Sequence, residues 1–93
     1  MISTENRVKI IENKLTQALQ PTQLIVNDDS AHHADHAGAS SGAGHFSLFI
    51  VSLAFKNKTL IQRHRMVYDV LEDLLKHDIH ALQINAKSPD ELK

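Results

Sequence analysis

The stretch His45 to Phe55, HFSLFIVSLAF, is apolar on nearly every residue. A run of this kind suits a central strand, with a neighbour on each side and at least one face packed by helices. The rest of the chain must therefore supply two further strands and a helical cover. Gln23 to Asn27, QLIVN, is short and rich in branched apolar residues, and the turn formers Asn27, Asp28, Asp29 and Ser30 close it. Ala81 to Ala86 alternates, with Leu82, Ile84 and Ala86 on one side. These segments provide strands one and three.

Two helices supply the cover. Val8, Ile11, Leu15, Ala18 and Leu19 recur at helical spacing, and Pro21 stops a helix running from Thr4 to Leu19. The second helix lies within Phe55 to Leu75. Thr59 followed by Gln62 fits a capping box, so it starts there and ends near Lys76 or His77. At 100° per residue, Leu60, Ile61, Val67, Tyr68, Leu71, Leu74 and Leu75 share one face, with Gln62, Arg65, Asp69, Glu72, Asp73 and Lys76 opposite. His64 falls inside the apolar face, so its ring points towards the core or its rim. Ser88, Pro89 and Glu91 spell one last helical turn.

The order is helix, strand, strand, helix, strand. Strands one and two pair as an antiparallel hairpin, and the second helix is a right-handed crossover to a parallel strand three. The expected fold class is α+β: a three-stranded mixed sheet with helices on one face. The hairpin connection, AHHADHAGASSGAG, holds small residues, three histidines and three glycines, and has nothing to anchor a core. It reads as a flexible loop over about 28–44 within a single domain, 1–93.

The absence of cysteine rules out disulfides and any self-contained thiolate site, so iron–sulfur chemistry would need thiolates from a partner. No apolar run approaches a membrane span, and MISTENRVK lacks the core of a signal peptide, which makes a cytoplasmic protein with no membrane partner the expectation. The net charge of −1 exerts no global pull on nucleic acid. Charge therefore has to be read locally.

His32, His33 and His36 in the loop, His45 at the start of strand two, and His64 on the helix are the candidates for chemistry. A loop histidine brought to a rigid helical one makes a two-ligand clamp for a transition metal. The competing reading is a solvated polar loop with a half-buried His64 hydrogen-bonded to backbone. Lys56, Lys58, Arg63 and Arg65 gather at the start of the second helix, where cations oppose the macrodipole. They read either as a phosphate, nucleic-acid or acidic-partner surface or as an ordinary solvated face. No nucleophile elbow, HExxH or phosphate-binding glycine loop supports an enzyme.

Four segments, NDDSAHHADHAG, GHFSLFIVSLAF, FKNKTLIQRHRMVYDVL and IHALQINAKSPDE, together resemble the BolA family over nearly everything after the first helix. The resemblance implies a fold similar to class II KH domains. It also implies a non-enzymatic partner of monothiol glutaredoxins, sharing a two-iron, two-sulfur (2Fe-2S) cluster with the glutaredoxin and glutathione in iron–sulfur and iron homeostasis. The resemblance further implies that such a chain carries no cofactor when alone, and a monomer or weak homodimer is then expected. Bacterial relatives act as DNA-binding regulators of transcription, stress response and cell morphology. Carried over by motif, His64 in RHR is the helical ligand, and His33 the loop ligand with His36 its rival. Lys56, Lys58, Arg63 and Arg65 are the expected nucleic-acid or partner surface. Asn57 stands where the family often has glycine, and the KH-type GxxG loop is absent. With thiolates from the partner on one iron, two imidazoles from this chain would complete the other in a Rieske-like arrangement.

Overall fold

The computed structural model describes residues 4–29 and 44–92. Helix α1 (Thr4–Leu19) leads into β1 (Gln23–Asp28), and β2 (Gly44–Val51) follows the hairpin connection. A 3-10 turn (Leu53–Phe55), helices α2 (Leu60–Val70) and α3 (Glu72–His77), strand β3 (Ile79–Lys87) and a last 3-10 turn (Pro89–Leu92) complete the chain. The sheet order is β1-β2-β3, with β1 antiparallel and β3 parallel to β2. This is the mixed sheet the apolar run demanded.

Strand periodicity sorts β2 into two faces. Phe46, Leu48 and Ile50 are buried, and with Ile11 and Leu15 of α1 and Val67, Leu71 and Leu74 of the α2–α3 segment they form the core. The helices thus lie on one face of the sheet. α1 ends as Pro21 requires, with Gln20 at φ 47, a left-handed C-terminal conformation that glycine usually takes.

β3 starts at Ile79 instead of Ala81, which brings His80 into the strand, and the largest departures from the sequence reading are the end of β2 and the middle of the second helix. β2 stops at Val51 instead of running on to Phe55, because Ser52 is drawn into other bonds. Its hydroxyl donates to Leu19 O at 2.6 Å and accepts from Ala54 N at 3.1 Å, turning the backbone into the 3-10 turn. The second helix is interrupted at Leu71, where φ −100 and ψ 13 leave the helical range. Leu71 N–H still donates to Val67 O, and Leu75 N–H to Leu71 O, so the hydrogen-bond ladder runs through the break.

The capping box forms as read. Gln62 N–H donates to Thr59 Oγ1 at 3.1 Å, and Thr59 N–H donates to Gln62 Oε1 at 2.9 Å. The helical wheel needs correction, because Leu60 and Ile61 in the first turn are each 67% exposed and Tyr68, two turns further on, is exposed as well. The buried stripe runs through Arg63, Val67, Leu71 and Leu74. The first turn of α2 overhangs the end of the sheet, so only Arg63 there faces protein.

Candidate functional site

Arg63, expected among the exposed cations, is 6% exposed. Its Nε donates to Lys58 O at 3.0 Å, and Nη1 donates to Ala86 O at 3.0 Å and to Glu91 Oε1 at 2.6 Å. Glu91 also accepts from Ser88 N–H at 2.7 Å. The Arg63 hydrogen bond, backed by that of Ser88, pulls the Glu91 carboxyl down from an ordinary 4.5 to about 2. Asp90 is lowered too, chiefly by the Ser88 hydroxyl. The guanidinium fork therefore fastens the start of α2 to the end of β3 and to the last turn. This arginine is structural, and the surface cations at this end are Lys56, Lys58 and Arg65, interleaved with the exposed Leu53, Leu60 and Ile61.

The connection that carries Lys56 and Lys58 includes Asn57 at φ 63. A glycine is favoured at such an angle, and asparagine is among the side chains that tolerate it best. The substitution noted in the sequence is thus accommodated without changing the turn.

His64 follows Arg63 and is partly buried. Its ring has no hydrogen-bond partner among the described residues. Because Arg63 bonds Ala86 near the C-terminal end of β3, His64 sits at that end of the sheet. The hairpin connection leaves from the other end, where Asp29 N–H donates to His45 O at 2.7 Å and Gly44 N–H donates to Asp78 O at 2.9 Å. His64 and Asp78 are fourteen residues apart along the α2–α3 segment, about 20 Å at the helical rise of 1.5 Å per residue. Among the described residues, His64 therefore lies at the opposite end of the sheet from the two points where the connection leaves and re-enters. His32, His33 and His36 themselves lie outside the described residues, as does nearly all of the expected loop.

What the structure does bring together is His45 and His80, with ring centroids 5.1 Å apart and planes tilted by 52°. His80 sits in a register irregularity at the start of β3, which lies beside the start of β2. A tetrahedral ion held at about 2.0–2.1 Å by two imidazoles puts their centroids about 5 Å apart, so the pair has a spacing that two ligands of one metal would have. Among the described residues no group of three or more potential ligands forms. Any metal held here needs ligands from elsewhere. Arg7, buried on α1, has its Nε 3.4 Å from Asp78 Oδ1 and so ties α1 to the same corner. His80 was missed in the sequence although a signal existed, since parallel pairing of strands two and three makes their first residues neighbours.

A small three-stranded mixed sheet with helices on one face, a histidine pair at one end and exposed cations at the other describes a small α+β domain. Residues 15–91 match the model of the BolA-like protein family, and the chain belongs to that family. It is 44% identical over 97 residues to SufE-like protein 1, chloroplastic/mitochondrial, of Arabidopsis thaliana, covering 99% of this chain but 26% of that protein. It is 39% identical over 85 residues to the DNA-binding transcriptional regulator BolA of Haemophilus influenzae, covering 91% of this chain and 80% of that one. The solved BolA domain of Arabidopsis SufE1 superposes with a TM-score of 0.82 at 45% identity, covering 98% and 99% of the two chains. Among the described residues no helix is long and apolar enough to cross a membrane.

Proposed function

We propose that this chain is a cytoplasmic, non-enzymatic adaptor that binds a monothiol glutaredoxin and shares a 2Fe-2S cluster with it, with a class II KH-like topology as scaffold. The observation that carries the reading is the His45–His80 pair at the end of the sheet from which the histidine-rich connection departs, in a chain without cysteine. The donor set fits such a cluster. Partner and glutathione thiolates would hold one iron and two imidazoles the other, and the cluster would supply one-electron chemistry when bound. With His33 as the loop ligand, chain reach favours His80 over His64 as the strand- or helix-borne ligand. His33, four residues beyond Asp29, spans at most about 14 Å of backbone, well short of the ~20 Å to His64. His33 or His36 is then the loop ligand. The chain's own part is to hold one imidazole on a sheet, where packing fixes its direction, and to offer the other on the connection.

The test is co-expression with a monothiol glutaredoxin, followed by visible absorption and circular dichroism of the heterocomplex. His80→Ala and one of His33→Ala or His36→Ala abolish the cluster spectrum, while His64→Ala preserves it. Loss with His64→Ala and retention with His80→Ala would reverse the ligand assignment. No coloured heterocomplex from the unaltered chain would reject the function.

A second reading, regulation of transcription through DNA binding, is favoured by the exposed Lys56, Lys58 and Arg65 and by the name of the Haemophilus relative. Phosphate contacts make affinity fall steeply with salt. Duplex binding that is insensitive to salt and to removal of these three charges would eliminate it.

A further inference from the structure

The second face of the sheet carries no described helix. Its central row is Ile25, Phe49 and Asn85 across β1, β2 and β3, and the next row is Asn27, Ser47 and Gln83. Ile25 is 51% exposed and Phe49 is only half buried. Between the rows lies an open groove of about 280 Å³, lined by Asn27, Ser47, Phe49, Gln83 and Asn85 among others. The volume falls just below the range of ligand sites, about 300 to 1,000 Å³, and has room for no more than one planar ring system. Among the described residues the side chains of Asn27, Ser47, Gln83 and Asn85 hydrogen-bond to nothing. Three amides and a hydroxyl thus line the groove beside one aromatic ring, with no side-chain hydrogen bond to another described residue.

The lining contains neither a carboxylate nor a cation. It therefore suits a neutral, flat group with hydrogen-bonding edges. Charge enters only at the ends of the face. Lys87, two residues beyond Asn85 on the same side of β3, lies about 7 Å further along, and the exposed Lys56 and Lys58 sit past that same end. Asp29 bonds His45 at the opposite end. We infer that the open face binds single-stranded nucleic acid, stacking one unpaired base on Phe49, reading its edge with Asn27, Gln83 and Asn85, and leading the phosphate towards Lys87. Open sheets use half-exposed aromatics in this way, and amide side chains match base edges through paired donor and acceptor atoms. A duplex keeps its bases stacked and cannot use the groove. His45 is the next residue of this face beyond Ser47, and Lys56 and Lys58 lie past its other end, but the inference is carried by the groove between them and does not rest on the cluster reading.

The test uses the whole chain and short labelled single strands of each base, alongside duplexes of the same sequence, followed by fluorescence anisotropy at low and physiological salt. Single strands bind more tightly than duplex, and Phe49→Leu, which keeps the apolar volume but removes the ring, weakens binding about tenfold or more with unchanged circular dichroism. Asn85→Ala and Gln83→Ala narrow the difference between bases even if Phe49→Leu proves poorly folded. Lys56→Ala with Lys58→Ala alters the salt dependence and leaves base preference intact. In nuclear magnetic resonance spectra, a nucleoside monophosphate shifts the side-chain amides of Asn27, Gln83 and Asn85. The inference is overturned by Phe49→Leu binding as the parent does, by duplex binding as tightly as single strand, by no binding at low salt, or by methyl glycosides, instead of nucleotides, shifting those amides.

Discussion

Replacing Arg63 with alanine removes three hydrogen bonds and the charge that holds the last turn against the sheet. The cost can be worked from what each partner keeps. Lys58 O belongs to an exposed residue and rehydrates, so its loss costs about 0.5–1 kcal/mol. Ala86 is 4% exposed, and a carbonyl left bare there costs about 1–3 kcal/mol. The pairing with half-exposed Glu91 is screened by solvent and adds little. The stem of a 6% exposed arginine also packs, which places the total near 3 kcal/mol. For a domain of this size that lowers Tm by about 15 °C, as read by thermal and urea unfolding followed by circular dichroism. Arg63→Lys keeps the charge but gathers its donors on a single nitrogen that cannot span the separated acceptors as the planar guanidinium does, so it recovers only part of the loss. Acid unfolding gives an independent readout. The Glu91 carboxyl is lowered to about 2 from 4.5, so between those values the unfolded chain binds the extra proton. Its contribution is complete above about pH 4.5 and is lost as pH falls towards 2. Glu91→Gln flattens that part of the profile. An Arg63→Ala protein within 0.5 kcal/mol of the parent, with an unchanged acid profile, would refute the assignment of this network as a clasp.

Asn57→Gly folds at least as stably as the parent, whereas Asn57→Val, forced to φ 63, loses about 1–2 kcal/mol in the same urea titration. Thr59→Ala removes the capping-box acceptor at the start of α2 and costs about 1 kcal/mol, with amide exchange of Gln62 and its neighbours rising first. Assembly of the proposed heterocomplex weakens as pH falls through the histidine range near 6.5, because only neutral imidazole binds metal, and a flat spectrum from pH 8 to pH 5.5 would count against imidazole ligands.

The parts of this protein written in short spans of sequence were legible in the sequence alone. The limits of α1, the Thr59–Gln62 capping box, the turn after Ser88 and the strand order follow from periodicity, caps and the connection rules, which act over a few residues or along one element. Tertiary contacts decided the remainder. β2 ends at Val51 because Ser52 finds Leu19, 33 residues away, and Arg63 turns inward because Ala86 and Glu91 wait at the sheet end. A wheel drawn for α2 treats every turn as facing the same core and cannot show that its first turn lies beyond the sheet. The same limit governs the histidines. Sequence spacing marked His64 as unusual, but metal binding depends on distance in space, and the parallel pairing of β2 with β3 put His80, not His64, beside His45 at the mouth of the histidine-rich connection.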